Sequence, residues 1–219
     1  NETMNFLNIT NDVLVRLREP KTSTVRAQKN VVENMVKALV NDAYKYVWAA
    51  HQWTATQKEW EIITQPNQDS YALDGTDHGA RISGVVNKNG WRLNQCSQEH
   101  LVRHRMMSDQ KGDASEFAVV ATPNSAAVSI QFMPPPADEL LRYTVIGHTG
   151  VTPLDYDDDP IVLPYNAVMY YAYALAARER GEVGGQSVQE IFNMANQYLS
   201  DAIALDANYA SFEQVWEAV

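Results

Sequence analysis

One cysteine in 219 residues rules out an intramolecular disulfide, so Cys96 leaves stability to packing. No apolar run reaches the roughly 20 residues that a membrane-spanning helix needs, and no charged n-region with an apolar h-region marks a secretory signal. Basic side chains are in the minority. Seventeen Lys and Arg against 27 Asp and Glu give a formal net charge of −10. That balance argues against non-specific nucleic-acid binding, which needs clustered cations to displace counterions. Signatures of chemistry are missing too: there is no P-loop, no dinucleotide fingerprint, no G-x-S-x-G and no paired zinc cysteines. What remains is ordinary globular composition, 45% hydrophobic and 20% charged, in a chain long enough for a real core.

The charge is unevenly placed. Residues 1–53 carry a balance of +2, whereas residues 151–219 hold two basic and eleven acidic side chains, a balance of −9. Such an acidic third is a solvated surface, a face kept away from DNA, or one offered to a basic partner.

Val31 to Trp53 reads as one long amphipathic helix. Val32, Met35, Val36, Leu39, Ala43, Val47 and Ala50 recur at three- and four-residue steps, which places them on one face. Asn30 with Glu33 makes an N-x-x-E start. Before it, Thr3 precedes a shorter pattern through Phe6, Ile9, Val13 and Leu17, ended by Glu19-Pro20. Helical periodicity returns at Pro164 with Tyr165, Val168, Ala172, Leu175 and Ala176, and closes at Gly181. A second capping box, Ser187 with Glu190, opens the clearest stripe: Val188, Ile191, Phe192, Ala195, Leu199, Ala202 and Ile203.

Between these helices the period changes. Short β-prone runs surround the turn signals Asp74-Gly75, Asn87-Lys88-Asn89-Gly90 and Pro123-Asn124, with a last strand from Leu140 to Ile146 and one polar helix from Ser97 to Met107. The reading is α+β: about four helices from the two ends bundled together, with an antiparallel β-rich module of about six strands inserted. Its parts are residues 1–55 and 161–206 for the bundle, 56–160 for the module and 207–219 for a tail.

Four sets of residues invite a chemical reading. His100 and His104 stand one helical turn apart, as two zinc ligands would, but Arg103 and Arg105 place positive charge beside them. The ordinary alternative is two exposed histidines on a polar helix. The run Asp155-Tyr156-Asp157-Asp158-Asp159 offers oxygen ligands, yet an EF-hand loop needs Gly and Glu where Pro160 and Asn166 stand. A solvated acidic loop before a helix explains it without a cation. Glu59 and Glu61 share one face of a strand, a spacing that carries no glycosidase argument by itself. Trp60, Tyr71 and Trp91 are stacking candidates for a glycan, or simply the core of the module. No cofactor, metal site or catalytic group follows from any of these.

The order of elements carries more than any motif. A short helix ends in Arg16-Leu17-Arg18-Glu19-Pro20 and a long one ends near His51-Gln52-Trp53. After the β insert the chain returns through Ile161-Val162-Leu163-Pro164, and its last long helix closes on Ala202-Ile203-Ala204-Leu205-Asp206. This layout resembles the head–tail adaptor (connector) proteins of tailed bacteriophages, which join the portal ring to the tail. The resemblance implies a non-catalytic structural virion protein, assembled in the host cytoplasm into a homo-oligomeric ring, a dodecamer in such adaptors. Its partners would be the portal protein and tail or nozzle proteins, with DNA passing through the channel without specific binding and no membrane contact. It also implies a docking tail, for which Phe212, Val215 and Trp216, at i, i+3 and i+4, are the portal-binding candidates; the alternative is a last helix folded onto its own bundle. A different class of function, a receptor- or carbohydrate-binding tail module, rests on the aromatics of the insert.

Overall fold

The computed structural model describes residues 4–26, 30–66, 68–137, 140–181 and 185–209. Among these residues the chain is α+β, with five helices and two sheets. It divides into two compact units, one formed by residues 1–55 and 152–219, the other by residues 56–151.

The first unit holds α1 (Phe6–Arg16), α2 (Val31–Ala50), α4 (Tyr165–Arg180) and α5 (Gly185–Ala207). Helix α1 is capped by Asn5, whose side chain accepts from Asn8 N–H. Its next free donors are taken by the acidic loop: Phe6 and Leu7 N–H donate to the carbonyls of Asp159 and Asp157. This is how first-turn amides, which lack an intrahelical acceptor, are satisfied. At the other end Arg18 takes a left-handed conformation (φ 60°), and Glu19 N–H reaches back to Leu14 C=O, a Schellman-type stop.

Asn30 caps α2 by accepting from Val32 N–H. The return half of the expected capping box is not made, since Glu33 Oε2 is buried without a hydrogen-bond partner among the described residues. The helix ends at Ala50, three residues short of the expected Trp53, whose buried indole N–H donates back to Val47 C=O.

Helix α4 is surrounded, packing against α1, α2 and α5. Ala167, Val168, Met169, Ala172, Ala174, Ala176 and Ala177 are all buried, so small side chains on nearly every face let three helices approach. Two aromatic stacks flank it. Tyr171 lies against Tyr46 of α2 at 4.1 Å between centroids, and Tyr170 lies against Tyr198 of α5 at 4.8 Å. Helix α5 begins at Gly185, so Ser187 sits inside its first turn and not at its cap.

The second unit contains β1 (Gln57–Ile63), β2 (Ser70–Ala72), β3 (Ala80–Asn87), β4 (Asn94–Gln95), α3 (Gln98–Met107), β5 (Glu116–Ala121), β6 (Val128–Met133) and β7 (Arg142–Thr149). One sheet has the order β1-β7-β3 and the other β2-β6-β5-β4. Both expected hairpins form. Asn87 Oδ1 accepts from Asn89 and Trp91 N–H to shape the first turn, and Phe117 pairs with Phe132 across the second. The expectation of a wholly antiparallel module is corrected: β4 pairs with β5 in parallel. One apolar core joins inward side chains of both sheets, among them Trp60, Tyr71, Val85, Phe132, Tyr143 and Val145. On the outer face of the second sheet Leu101 of α3 packs with Ala118, Val120 and Met133.

Candidate partner-binding surface

Helix α5 is where the first unit is least finished. Its stripe lies on α4, yet among the described residues only Ala195 is fully buried. Val188, Ile191, Phe192, Leu199, Ala202 and Ile203 are half-buried, and Met194 and Leu205 are exposed. An apolar stripe at helical spacing is at least about 100° wide, and a single partner helix covers part of it.

The end of this helix is fastened to the end of α2. Asp206 Oδ2 accepts from Thr54 N–H at 3.0 Å and from Thr54 Oγ1 at 3.3 Å, and lies 3.2 Å from His51 Nε2. The His51 ring stands edge-on to Trp53. Beside this clasp lies a groove of about 290 Å³, whose walls include Trp53, Leu163, Pro164, Ala202, Leu205 and Tyr209. Residues 53–55, 162–164 and 202–209 each supply part of it, so no single stretch of sequence announces it. The one sequence signal is Leu205, three residues beyond Ala202 on the same side of the helix.

Two other clefts in this unit have charged walls. One, of about 430 Å³, is lined by Arg26, Asn34, Lys37 and Asn41. The other, of about 630 Å³, lies where α1 and α4 end, among Arg16, Arg18 and Arg180. Arg180 pairs with Glu19 at 3.0 Å and donates to Leu17 C=O, while Arg16 stacks over Tyr170. Cations at helix C-termini offset the partial negative charge there. Nearby, Tyr165 O–H donates to Asp12 Oδ2 at 2.6 Å; burial first, then the Asp12 carboxylate, hold its phenol well above the usual tyrosine range.

The sequence-derived candidates separate clearly. Phe212, Val215 and Trp216 lie outside the described residues. His100 Nε2 lies 3.1 Å from Glu116 Oε2, and its ring is 6.4 Å from that of His104. Among the described residues no group of three His, Cys, Asp or Glu is placed to hold a metal ion.

The acidic loop is occupied internally: Asp159 Oδ2 accepts from Asp155 and Tyr156 N–H, and Asp157 Oδ1 accepts from Val25 N–H at 2.6 Å. It serves the start of α1, and two of its carboxylates are used in holding backbone. Glu61 pairs with Arg142, and Glu59 is exposed beside it on the strand face. Of the three aromatics, Trp60 and Tyr71 belong to the module core, with their polar atoms bonded to Asp74 C=O and to the 65–68 backbone. Trp91 alone is exposed, at 74%. Cys96 is half-buried, and desolvation followed by the Glu116 charge pushes its thiol up, away from the reactive thiolate.

No protein-family model matches the chain, and no curated protein matches it significantly. Among the described residues no helix is long and apolar enough to cross a membrane.

Proposed function

We propose that this chain is a structural head–tail adaptor of a tailed bacteriophage, a ring subunit that joins the portal to the tail and lets DNA pass. The half-covered stripe on α5 is the observation that carries this reading. A row of large apolar side chains left half in water along one helix favours a second protein surface. In a ring, that surface is supplied by the next copy through a head-to-tail contact that repeats until it closes. The four helices of this unit then form a bundle in the ring wall, and the acidic last third suits a channel that does not retain phosphate. The role is structural and non-catalytic, and its place is the virion neck. The tail, residues 207–219, docks on the portal through Phe212, Val215 and Trp216.

The glycan-binding alternative has less support, because two of its three stacking aromatics are core residues. Native mass spectrometry of the purified chain, alone and with the portal protein of the same genome, tests the adaptor reading. The expected result is a multi-copy assembly on the portal, lost when residues 208–219 are deleted while the fold is kept. A chain that stays monomeric and unbound in both samples overturns it.

A further inference from the structure

We infer that copies of this chain meet head to tail by seating Arg18 of one copy in a depression on α5 of the next, with Asp201 as its counter-charge. This contact rests on the ring reading above and gives it the two different surfaces that a head-to-tail arrangement needs. Arg18 follows α1 at the left-handed stop (φ 60°), a position where glycine is the usual residue. Its side chain is exposed, and its guanidinium has no hydrogen bond or ion pair among the described residues. The other two arginines of that cleft are occupied: Arg180 by Glu19 and Leu17 C=O, Arg16 by Asp12 C=O and the Tyr170 ring. Three arginines against one glutamate make a basic patch on a chain whose net charge is −10.

The receiving surface is a depression of about 160 Å³ on α5, walled by Met194, Gln197, Tyr198 and Asp201. Asp201 is exposed, and its carboxylate has no partner among the described residues. A carboxylate beside an amide oxygen, a thioether and an aromatic ring suits arginine, whose planar fork pairs with carboxylate and whose face stacks on rings. In one chain the two residues stay apart. Arg18 adjoins Glu19, which meets α4 at Arg180, while Tyr198 meets α4 at Tyr170; ten residues of helix separate these levels by about 15 Å. Helices α1 and α5 each pack on α4, so the basic patch and the depression occupy different places on the unit, as a heterologous contact demands. Val15, 48% exposed and three residues before Arg18, brings an apolar side chain to the contact, where Met194, 43% exposed, meets it. The wider charge distribution has the same sense, +2 over residues 1–53 against −9 over residues 151–219.

Native mass spectrometry of the full chain over a concentration series, with the portal added where the free chain is monomeric, reads the contact. Arg18→Glu and Asp201→Arg should each raise the concentration needed for multi-copy assembly at least about tenfold. Circular dichroism should stay unchanged, because both positions are exposed. Mixed in equal amounts, the two variants should assemble within about threefold of the parent, since every contact in an alternating assembly then joins opposite charges. Arg18→Gly separates the contact from the helix stop. Glycine suits the left-handed position, so the monomer should be at least as stable in urea while assembly still weakens. Single variants that assemble like the parent, or a mixture as weak as its components, overturn the contact; the ring reading then survives on the parent's own assemblies. A parent chain that stays a single copy even with the portal overturns the ring reading and the contact with it. Variants that lose the portal but keep their copy number place Arg18 against the portal, which also overturns the contact between copies.

Discussion

Asn41→Ala should be among the most costly single substitutions of a polar side chain in the helical unit. Asn41 sits on α2 and meets Leu154, 113 residues later, in the segment that brings the chain back to the helices. Its Oδ1 accepts from Leu154 N–H at 2.7 Å, and its Nδ2 donates to Leu154 C=O at 3.0 Å and to Lys37 C=O at 3.3 Å. The amide therefore does for Leu154 what a neighbouring strand would do: it satisfies both backbone groups of a buried residue. Alanine orphans both. Each buried group left without a partner costs about 1–3 kcal/mol, so the upper range for the pair is about 6 kcal/mol. Two effects bring it down. The 430 Å³ cleft beside Asn41 admits water, which can replace part of what is lost, and alanine is favoured over asparagine in a helix by up to about 0.7 kcal/mol. A net loss of about 2–3 kcal/mol follows.

Urea unfolding read by helical circular dichroism suits the measurement, because the long helices lie in this unit, whereas the tryptophans are divided, Trp48 and Trp53 in this unit and Trp60 and Trp91 in the other. Asn196→Ala, an exposed position on α5, is the control and should change stability by no more than about 0.5 kcal/mol. Asn41→Asp keeps an acceptor for Leu154 N–H but turns an oxygen toward Leu154 C=O, so at neutral pH it should recover little of the loss. If Asn41→Ala falls within about 0.5 kcal/mol of the control, with the urea slope unchanged, Asn41 does not hold the return segment and the argument is refuted.

Leu39→Ala should cost about 2–5 kcal/mol, because Leu39 is buried on α2, whereas Leu199→Ala, half-buried on α5, should cost about 1–2 kcal/mol in the monomer; equal losses in urea titrations would contradict the open stripe. Thr64→Val should cost about 1–3 kcal/mol, since buried Thr64 Oγ1 accepts from Leu141 N–H at 2.8 Å and valine leaves that donor unpaired; an unchanged melting curve would contradict the contact. Tyr165 has its phenol raised in the folded state, so its contribution is complete below the ordinary tyrosine value near pH 10 and is lost as pH climbs through the higher folded value. Stability should therefore fall above about pH 10, and less steeply in Tyr165→Phe; identical alkaline profiles would refute this.

Local patterns were legible in the sequence and long-range partners were not. The α2 stripe and its Asn30 cap could be read because period and cap chemistry lie within a few residues of each other. Both hairpins could be read because Asn87 to Gly90 and Pro123-Asn124 prescribe the turn that sets the register. The parallel β4–β5 pair was illegible: β4 has two residues, and nothing in Asn94-Gln95 specifies a neighbour beyond an intervening helix. The acidic loop was read as solvated because Val25, which engages Asp157, stands 132 residues away. Capping was legible in type but not always in place. Ser187, read as the cap of the last helix, lies within its first turn because α5 begins at Gly185.

The contrast between α4 and α5 shows why a stripe and a buried face are different quantities. Helix α4 has the weaker pattern, being small and apolar almost all round, and is the more buried because α1, α2 and α5 surround it. Helix α5 has the clearer stripe and is covered mainly by α4, whose narrow alanine-rich surface meets the line through Ala195 and leaves Val188, Phe192 and Leu199 at the margin. Periodicity reports how much apolar surface a helix brings, and packing depends on how much its neighbours can cover. The excess on α5 divides along its length. Its last turns, with Ala202 and Leu205, open onto the groove beside Trp53, while its first turns, with Val188 and Ile191, lie some 20 Å up the helix at 1.5 Å per residue. A partner surface that covers one of these patches leaves the other in water, so substitutions at Leu205 and at Ile191 test the two separately.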